Sequence, residues 1–310
     1  MENKTVIKKQ SKAPYKKLGS RLVEARNQSL MWLLLLPMVF TLILCHWNPI
    51  FRGMITSLFH TKGFRMVEFV GLNNFKDVIS DTLFLKTLWN TVLYVFWSLL
   101  LGVIPPLALA IVLNEVVHFK QGFKIITYLP AIAPALAASL IWMNIFSPSP
   151  GGLLNVALKA MGLPISQWLL NEHLTIPLIV VSMTWKGYGV TMLLYLSALQ
   201  SISQELYEAS AIDGAGVWRR LFTVTIPHLG PTMLLFVVNQ IIGVFQTFDQ
   251  PLVMTGGGPN NASTTLGLTS YNLAFSYMQV DRSMALGTVS FIILLVATLF
   301  YFKMKKRMED

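Results

Sequence analysis

The segment that decides the fold is ELYEASAIDGAGVWRRLFTVTIPHL, from Glu205 to Leu229, a polar interruption between two long apolar stretches. Ser203 is a residue type that caps helix N-termini, and the acidic Glu205 follows in the first turn, where it interacts favourably with the helix dipole. Gly214 then interrupts the pattern, because glycine turns the chain without steric cost. The sequence predicts two short helices hinged at Gly214, within about residues 203–225.

The composition places this segment in a membrane protein. Of 310 residues, 54% are hydrophobic and 12% are charged, whereas charged residues approach about a quarter of a soluble domain. A helix needs about 20 apolar residues to cross a bilayer, and each long stretch here is continuously apolar, which favours helices over barrel strands. We predict an all-α polytopic protein with a six-helix transmembrane domain over residues 30–310. The predicted spans lie near residues 30–51, 87–113, 124–147, 174–199, 229–254 and 284–303.

The placement of Lys and Arg predicts the orientation, because positively charged loops stay on the cytoplasmic side. With the N-terminus inside, sixteen Lys and Arg residues lie on that side and seven lie outside. Residues 1–29 hold eight of them and precede any apolar run, so we expect a retained cytoplasmic basic tail, and both termini in the cytoplasm. Topology and attraction to anionic lipid account for the net charge of +10 without a nucleic-acid partner.

Patterns for catalysis and metal binding are missing from the sequence. The histidines lack metal-ligand spacing, and no nucleophile elbow occurs. The lone Cys45 excludes an internal disulfide. The run TGGGPNN, from Thr255 to Asn261, lacks the Lys-Ser/Thr of a phosphate-binding loop and predicts a tight outward turn. We therefore expect a transport subunit that is not an enzyme and that binds no cofactor or metal itself.

Polar residues inside two spans are candidates for a solute pathway, because polar groups in lipid are costly and usually face a cavity. Aromatic rings beside amides and hydroxyls suit a sugar, whose C–H faces rest on rings while its hydroxyls pair with polar side chains. Hydrogen bonding between helices is the alternative for any single residue, whereas the cluster as a whole favours a pathway. The candidates are Trp185, Lys186 and Tyr188 in the fourth span and Asn239, Gln246, Thr247 and Asp249 in the fifth.

The polar interruption resembles the cytoplasmic loop of permease subunits of binding-protein-dependent ABC importers. That loop carries Glu-Ala-Ala, three residues, Gly, nine residues, and then Ile-x-Leu-Pro. Ser210, Val224 and Ile226 depart from the pattern but keep side-chain size and helix compatibility. The matching positions are Glu208, Ala209, Ser210, Gly214, Val224, Ile226 and Pro227, with Asp213 directly before the glycine.

Further strings resemble the carbohydrate branch of that family, the maltose and glycerol-phosphate type. They are GLNNF at Gly71–Phe75, Asn90-Thr91, Leu129-Pro130, YEASAIDGAG at Tyr207–Gly216 and TGGGPNNAST at Thr255–Thr264. The resemblance runs from about residue 30 to the C-terminus. It implies the six-helix type I importer permease fold, carbohydrate import and a bacterial cell membrane.

The resemblance also implies a mechanism and partners. A helix of the loop would sit in a cleft of a cytoplasmic ATPase, with Glu208 pairing with that ATPase and Gly214 permitting the bend. The implied coupling residues are Glu208, Ala209, Ser210, Asp213, Gly214 and Pro227. The implied partners are a second homologous permease, two ATPase subunits that use ATP and Mg, and an extracytoplasmic solute-binding protein or lipoprotein.

An ion-coupled secondary transporter is the alternative function. Such a transporter needs intramembrane carboxylates for proton or sodium coupling. In this sequence only Asp249, near a span end, is a candidate acid.

Overall fold

The computed structural model describes residues 31–115 and 119–309. The chain divides after Gly53 into two units. The first span, α1 (Met31–Thr56), begins in the first unit and contains a π-helical stretch at Ile43–Trp47. The predicted basic tail at residues 1–29 lies outside the described residues.

In the second unit a small hairpin precedes a series of helices. Its strands, β1 (Phe59–Lys62) and β2 (Arg65–Phe69), pair antiparallel. The helices are α2 (Asn73–Ser80), α3 (Thr82–Gly102), α4 (Ile104–Glu115), α5 (Lys120–Ile132), α6 (Ala135–Ile145), α7 (Leu153–Ala160), α8 (Thr175–Gln200), α9 (Gln204–Ile212), α10 (Val217–Arg220), α11 (Ile226–Gln246), α12 (Asp249–Thr255), α13 (Leu266–Tyr271) and α14 (Val280–Glu309). A 3-10 turn lies at Trp168–Leu170, and π-helical stretches lie at Leu221–Thr225 and Asn272–Ser276.

The predicted all-α, multi-pass architecture is confirmed. In the described part of the chain, five helices are long and apolar enough to cross a membrane, and a bent pair makes a sixth crossing if it is counted as one span. The five are Met31–Thr56, Thr82–Glu115, Thr175–Gln200, Val217–Gln246 and Val280–Lys306. The hairpin is the one sheet in these residues, and the sequence offered no Asn-Gly or Asp-Gly turn signal for it.

The third predicted span is not straight. α5 and α6 meet at an angle of 98°. Ala133 adopts φ −63° and ψ 135°, outside the helical region, and Pro134 follows it. The ring of a proline disfavours the helical conformation in the preceding residue and supplies no amide hydrogen. Pro134 therefore explains why residues 124–147 form two helices instead of one.

The fifth span begins earlier than predicted, at Val217 instead of near residue 229. Pro227 lies inside the helix, two residues after the end of the π-helical stretch Leu221–Thr225. Here the Ile226 amide donates to the Leu221 carbonyl, five residues back. The wider turn accommodates a proline that cannot donate to the preceding turn.

The same span also ends earlier than predicted. Thr247 adopts φ −68° and ψ 122°, which ends α11 after Gln246. Residues up to 255 then form the separate helix α12. The predicted span 229–254 thus covers most of α11, a break at Thr247, and α12.

The interior of the second unit is built around α8. One apolar cluster joins α8 to α4 and α11, and a second joins it to α3 and to the segments near α12. Buried members of the first cluster include Leu107, Leu113, Tyr195, Leu196 and Leu229; the second includes Tyr94, Ile179, Val180, Val244 and Met254. Each of these helices therefore buries one apolar stripe in the interior and leaves the rest of its apolar surface exposed.

α8 and α5 approach each other closely at Gly189. A Cβ atom at this position would lie 2.2 Å from the carbonyl oxygen of Thr127 and 2.7 Å from the Cα of Tyr128. Any side chain would therefore push the two helices apart. Small residues allow this kind of backbone contact between membrane helices.

The hairpin is anchored to the start of α14. The buried Asp281 carboxylate accepts a hydrogen bond from the Thr61 amide at 3.0 Å and pairs with His60 Nδ1 at 2.9 Å. Asn74 in α2 donates to the carbonyls of Ser57 and Phe59, both at 2.9 Å. These bonds fix the hairpin to the start of α14 and to α2. The hairpin and α9 lie at opposite ends of the bundle, since α3 and α4 together run the full length of a span between them.

Candidate functional site

The first helix of the predicted coupling loop, α9, is capped at both ends. Ser203 Oγ accepts from the Glu205 amide at 3.3 Å. At the other end, the Gly214 amide donates to Ala211 O at 3.0 Å and the Ala215 amide donates to Ser210 O at 2.9 Å. This pair of bonds is the Schellman motif, which requires a left-handed residue after the helix.

Gly214 supplies that residue, with φ +73°. Other residue types reach this conformation only at a cost. The bend that the sequence predicted at Gly214 is therefore a capped, defined turn.

The second helix of the loop is not a separate element. α10 (Val217–Arg220) continues through the π-helical stretch Leu221–Thr225 into α11, so one helical rod runs from Val217 to Gln246. The loop thus consists of a single free helix, α9, placed at the end of the fifth span. The predicted pair of short helices is wrong in this respect, because Val217 to Gln246 has no residue that ends the helix.

α9 is exposed on most of its surface. None of its residues is buried, and the apolar side chain of Ile212 is 87% exposed. Trp218, in the adjoining α10, is 74% exposed. The predicted coupling residues Glu208, Ala209 and Asp213 are exposed too. Apolar and acidic side chains therefore share one free surface.

One side-chain bond ties α9 to the span behind it. Tyr207 Oη and Thr225 Oγ1 lie 3.1 Å apart, and Thr225 is buried. Ser210, a predicted coupling residue, donates to the Tyr207 carbonyl at 2.8 Å. Its hydroxyl is turned toward its own helix, which explains how serine is accommodated at this position. Pro227, the last predicted coupling residue, lies on the rod and not on α9.

A cavity of about 510 Å³ lies between α8 and the end of α11. Five of the predicted pathway residues line it: Lys186, Tyr188, Gln246, Thr247 and Asp249. Gln240 of the fifth span also lines the cavity. Three further lining residues were not selected from the sequence: Thr184, Thr191 and Gln250. Thr184, Gly187 and Thr191 are spaced so that they share one face of a helix. That spacing could have identified the side of α8 that faces the cavity.

Two predicted pathway residues lie elsewhere. Asn239 is exposed, and its Nδ2 donates to the Leu235 carbonyl of its own helix. Its neighbour Gln240 lines the cavity, and one residue along a helix turns a side chain by about 100°. Trp185 lines an adjacent, mostly apolar cavity of about 410 Å³, where its ring lies 5.8 Å from that of Trp142.

The 510 Å³ cavity contains one side chain of each charge. Lys186 and Asp249 both line it, but they form no ion pair within 4 Å. Tyr188 is held in place because its hydroxyl donates to the Pro105 carbonyl at 3.0 Å. The cavity thus offers hydrogen-bonding groups of several kinds, and its size lies within the range of about 300–1,000 Å³ that is common for small-molecule sites.

A second polar assembly lies at the opposite end from α9. We call it the outer clamp: the loop Thr255–Thr265 together with the side chains of α3 that hold it. Asn90 Nδ2 donates to the carbonyls of Asn261 at 2.8 Å and Thr264 at 3.0 Å. Tyr94 Oη donates to the Ser263 carbonyl at 3.1 Å, and Lys86 Nζ donates to the Asn260 carbonyl.

The clamp also reaches the break at the end of α11. Thr91 Oγ1 accepts from the Leu266 amide at 3.1 Å, and Thr265 Oγ1 donates to the Thr247 carbonyl at 2.6 Å. Asn90-Thr91 and TGGGPNNAST, quoted separately in the sequence, are therefore contacting halves of one structure. Lys86 and Tyr94 were missed, although Lys86, Asn90 and Tyr94 are spaced four residues apart on one helical face.

The described residues contain no group of three or more His, Cys, Asp or Glu side chains able to hold a metal ion. Three polar features of the same part of the chain are candidates for a functional role: the exposed α9, the 510 Å³ cavity and the outer clamp. These three features can serve protein docking, solute binding and the fixing of a loop.

Comparison with known proteins agrees with this geometry. The arabinooligosaccharides transport system permease protein AraP of Bacillus subtilis (strain 168) is 34% identical over 240 residues, covering 77% of this chain and 76% of AraP. The lactose transport system permease protein LacF of Rhizobium radiobacter is 33% identical over 277 residues, covering 87% of this chain and 91% of LacF.

A solved structure shares the fold. A chain from the crystal structure of a bacterial ABC transporter involved in the import of the acidic polysaccharide alginate has a TM-score of 0.81 at 24% sequence identity. The match covers 94% of this chain and 100% of that chain. Residues 78–308 match the family described as binding-protein-dependent transport system inner membrane component. This chain therefore belongs to the family of inner membrane components of binding-protein-dependent transport systems, as its resemblance predicted.

Proposed function

We propose that this chain is the permease subunit of an ATP-driven importer of carbohydrates, and that it forms half of the translocation pathway. The observation that carries the proposal is the exposed, doubly capped helix α9, joined to a rod that ends at a polar cavity. A free helix at one end and a solute-sized cavity at the other are the two parts that such a subunit needs.

The cavity supports a carbohydrate as the transported solute. The cavity offers side chains that can accept hydrogen bonds from sugar hydroxyls or donate to them: Gln240, Gln246, Thr247 and Asp249. Tyr188 adds a ring that can rest against C–H bonds. Relatives named for arabinooligosaccharide and lactose transport favour the same solute class. The other half of the site would come from a second, homologous permease.

α9 supports coupling to a cytoplasmic ATPase. Its exposed face carries Glu208 and Ile212, which suit a cleft with both cationic and apolar groups. Closure of two ATPase subunits on ATP and Mg would move α9 as a rigid body, because both of its ends are capped. The Tyr207–Thr225 contact and the continuous rod Val217–Gln246 would carry that movement to the cavity. This chain would hydrolyse nothing itself.

Membrane orientation follows from the same proposal. α9 must face the ATPases, and six crossings then place both termini on the cytoplasmic side of a bacterial cell membrane. The excess of Lys and Arg predicted for that side supports this arrangement. The outer clamp and the hairpin would face the extracytoplasmic solute-binding protein or lipoprotein. Ion coupling has little support, since Asp249 is the one acid among the described residues lining the cavity.

Charge reversal on α9 tests the proposal. Glu208 is exposed and makes no ion pair within the described residues, so Glu208→Lys leaves the folded chain intact. We expect normal membrane insertion and loss of ATP-dependent uptake, measured with radiolabelled arabinotriose, lactose and maltotriose in cells. Glu208→Asp, which keeps the negative charge at the same position on α9, is the matched control and should retain uptake. Normal uptake by Glu208→Lys would refute the coupling role.

A further inference from the structure

We propose that four aromatic rings form a saccharide-binding track between the outer face of the protein and the 510 Å³ cavity. We call these rings the aromatic string: Phe64, Phe275, Tyr271 and Phe248. The proposal rests on the proposed function, since it assigns a second binding region to the same transported solute.

The rings follow one another in space although they are distant in sequence. Phe248 and Tyr271 stack with centroids 5.1 Å apart and planes 16° apart. Tyr271 and Phe275 lie 5.2 Å apart, and Phe275 and Phe64 lie 6.4 Å apart. Each distance lies within the range of direct ring contact. The hairpin, the segment before α14 and the break after α11 thus contribute to one continuous apolar line.

The inner end of the string lies beside the cavity. Phe248 lies between Thr247 and Asp249, and both of these residues line the cavity. The outer end is Phe64, in the turn of the hairpin at the end of the bundle opposite to α9. A solute that followed the rings inward would reach the wall of the cavity next to Thr247 and Asp249.

The exposure of the rings argues against a purely structural role. Phe248, Phe275 and Phe64 are 38%, 57% and 67% exposed, and Tyr271 is half-buried between Phe248 and Phe275. Rings that only fill the core are buried in this protein, as Tyr94 and Tyr195 are at 0%. The string has ring surface left to offer to a ligand.

The surroundings of the string suit a sugar better than a lipid chain. Phe275 belongs to the π-helical stretch Asn272–Ser276, which also carries an exposed serine. π-helical turns occur often at functional sites. Pyranose and furanose rings present C–H faces that rest on aromatic rings without demanding fixed hydrogen bonds. A row of rings therefore guides an oligosaccharide while holding it weakly.

Cysteine accessibility tests the proposal in the assembled transporter. Cys45 is the one cysteine of the sequence, so Cys45→Ser gives a background for single-cysteine variants. Phe275→Cys should react with a membrane-impermeant methanethiosulfonate added outside, and saturating amounts of whichever of arabinotriose, lactose and maltotriose is imported should slow that reaction. Leu295→Cys, an exposed apolar position within α14, is the control and should not react.

A second pair of variants measures binding through the transport kinetics. Phe275→Leu keeps the apolar volume but removes the ring, and should raise the KM for uptake about two- to tenfold, as expected for the loss of one ring contact. Phe275→Tyr keeps the ring and should retain the KM. The kcat for uptake should change little, because α9 and the rod are untouched.

The outcomes separate the two proposals. If the unmodified transporter imports a sugar but Phe275→Leu leaves its KM unchanged, or if Phe275→Cys is unreactive or is not protected by that sugar, the track is refuted while the carbohydrate function stands. If none of the three sugars is imported or bound, the carbohydrate function fails, and the track fails with it.

Discussion

α9 and the outer clamp are both polar elements at the ends of the bundle, but they are held in different ways. α9 is fixed by its own backbone caps and by one side-chain contact with the span behind it, between Tyr207 and Thr225. The loop Thr255–Thr265 is fixed by side chains of α3, and its residues 262–265 are buried. This difference fits the proposed roles, in which α9 would keep its surface free to dock into a moving partner and the loop would stay rigid beside the solute path.

The turn after α9 and the loop of the outer clamp each have a glycine at positive φ. Substituting these glycines therefore tests how differently the two regions are held. The largest effect is expected for Gly257→Ala in the outer clamp, where φ is +91° and a Cβ would lie 2.5 Å from Thr264 Oγ1. Strain and overpacking together should lower the free energy of unfolding by about 2–4 kcal/mol. Thermal unfolding of the purified protein in detergent measures this.

Gly256→Ala is the matched control for Gly257→Ala. Gly256 also has positive φ, at +61°, but a Cβ added there would have no atom within 4 Å. Its cost should be limited to the backbone, about 1–2 kcal/mol. Equal losses for the two variants would show that the outer clamp is not tightly packed around Gly257.

The hydrogen bonds of the clamp give the next largest effect. Asn90→Leu leaves the carbonyls of Asn261 and Thr264 without the donors they have now. We expect a loss of about 2–3 kcal/mol in unfolding free energy, the cost of burying unsatisfied polar groups. Asn239→Leu, which removes an exposed amide, should change it by less than about 0.5 kcal/mol. A loss for Asn90→Leu as small as that for Asn239→Leu would contradict the clamp.

A smaller effect on stability, but a larger one on transport, is expected at the bend after α9. Gly214→Ala forces an alanine into φ +73°, in a place where no atom crowds it, and should cost about 1–2 kcal/mol. That cost falls on the Schellman turn, so α9 should fray and ATP-dependent uptake should fall while the unfolding temperature of the bundle stays nearly constant.

Gly214→Asn should lose less uptake than Gly214→Ala, since asparagine tolerates the left-handed conformation better. Uptake and unfolding are measured for both variants. The comparison shows whether a defect comes from the left-handed backbone conformation or from the added side chain. Equal losses of uptake in the two variants would contradict a role for the left-handed turn conformation in transport.

The smallest effect is expected for Tyr207→Phe, which removes the contact with Thr225 Oγ1. The contact is worth about 0.5–1.5 kcal/mol, so the protein should fold normally. ATP hydrolysis by the assembled transporter should continue, while the amount of solute moved per ATP decreases. An unchanged ratio would show that the rod alone carries the movement. The amount of solute moved per ATP is compared with that of Ser203→Ala, which alters the N-terminal cap of α9 but leaves the Tyr207–Thr225 contact in place.

The sequence predicted the spans well because each one requires a long apolar run, and such runs are visible without tertiary information. It did not predict where helices bend. Pro134 breaks the third span while Pro227 is absorbed by a π-helical turn, and the difference depends on the neighbouring backbone. The hairpin was missed because one of its anchors, Asp281, is 220 residues away in sequence from Thr61, whose amide it holds.

The candidate site shows the same limit. Lys186 and Gln246 could be picked out because polar residues are rare in spans, but Asn239 could not be distinguished from Gln240 without knowing how α11 is turned. The aromatic string was invisible, since Phe64, Phe248 and Phe275 lie in three separate segments and meet only in the folded protein.

The central claim is that α9 seats in the ATPase, and crosslinking tests it most directly. A photoreactive amino acid at Ile212, which is 87% exposed, should crosslink to the ATPase subunit in cells that express the whole transporter. The same group at Phe69, 64% exposed on the hairpin, should never do so. Crosslinking to the ATPase from position 69, or its absence at position 212 in an active transporter, would contradict the claim.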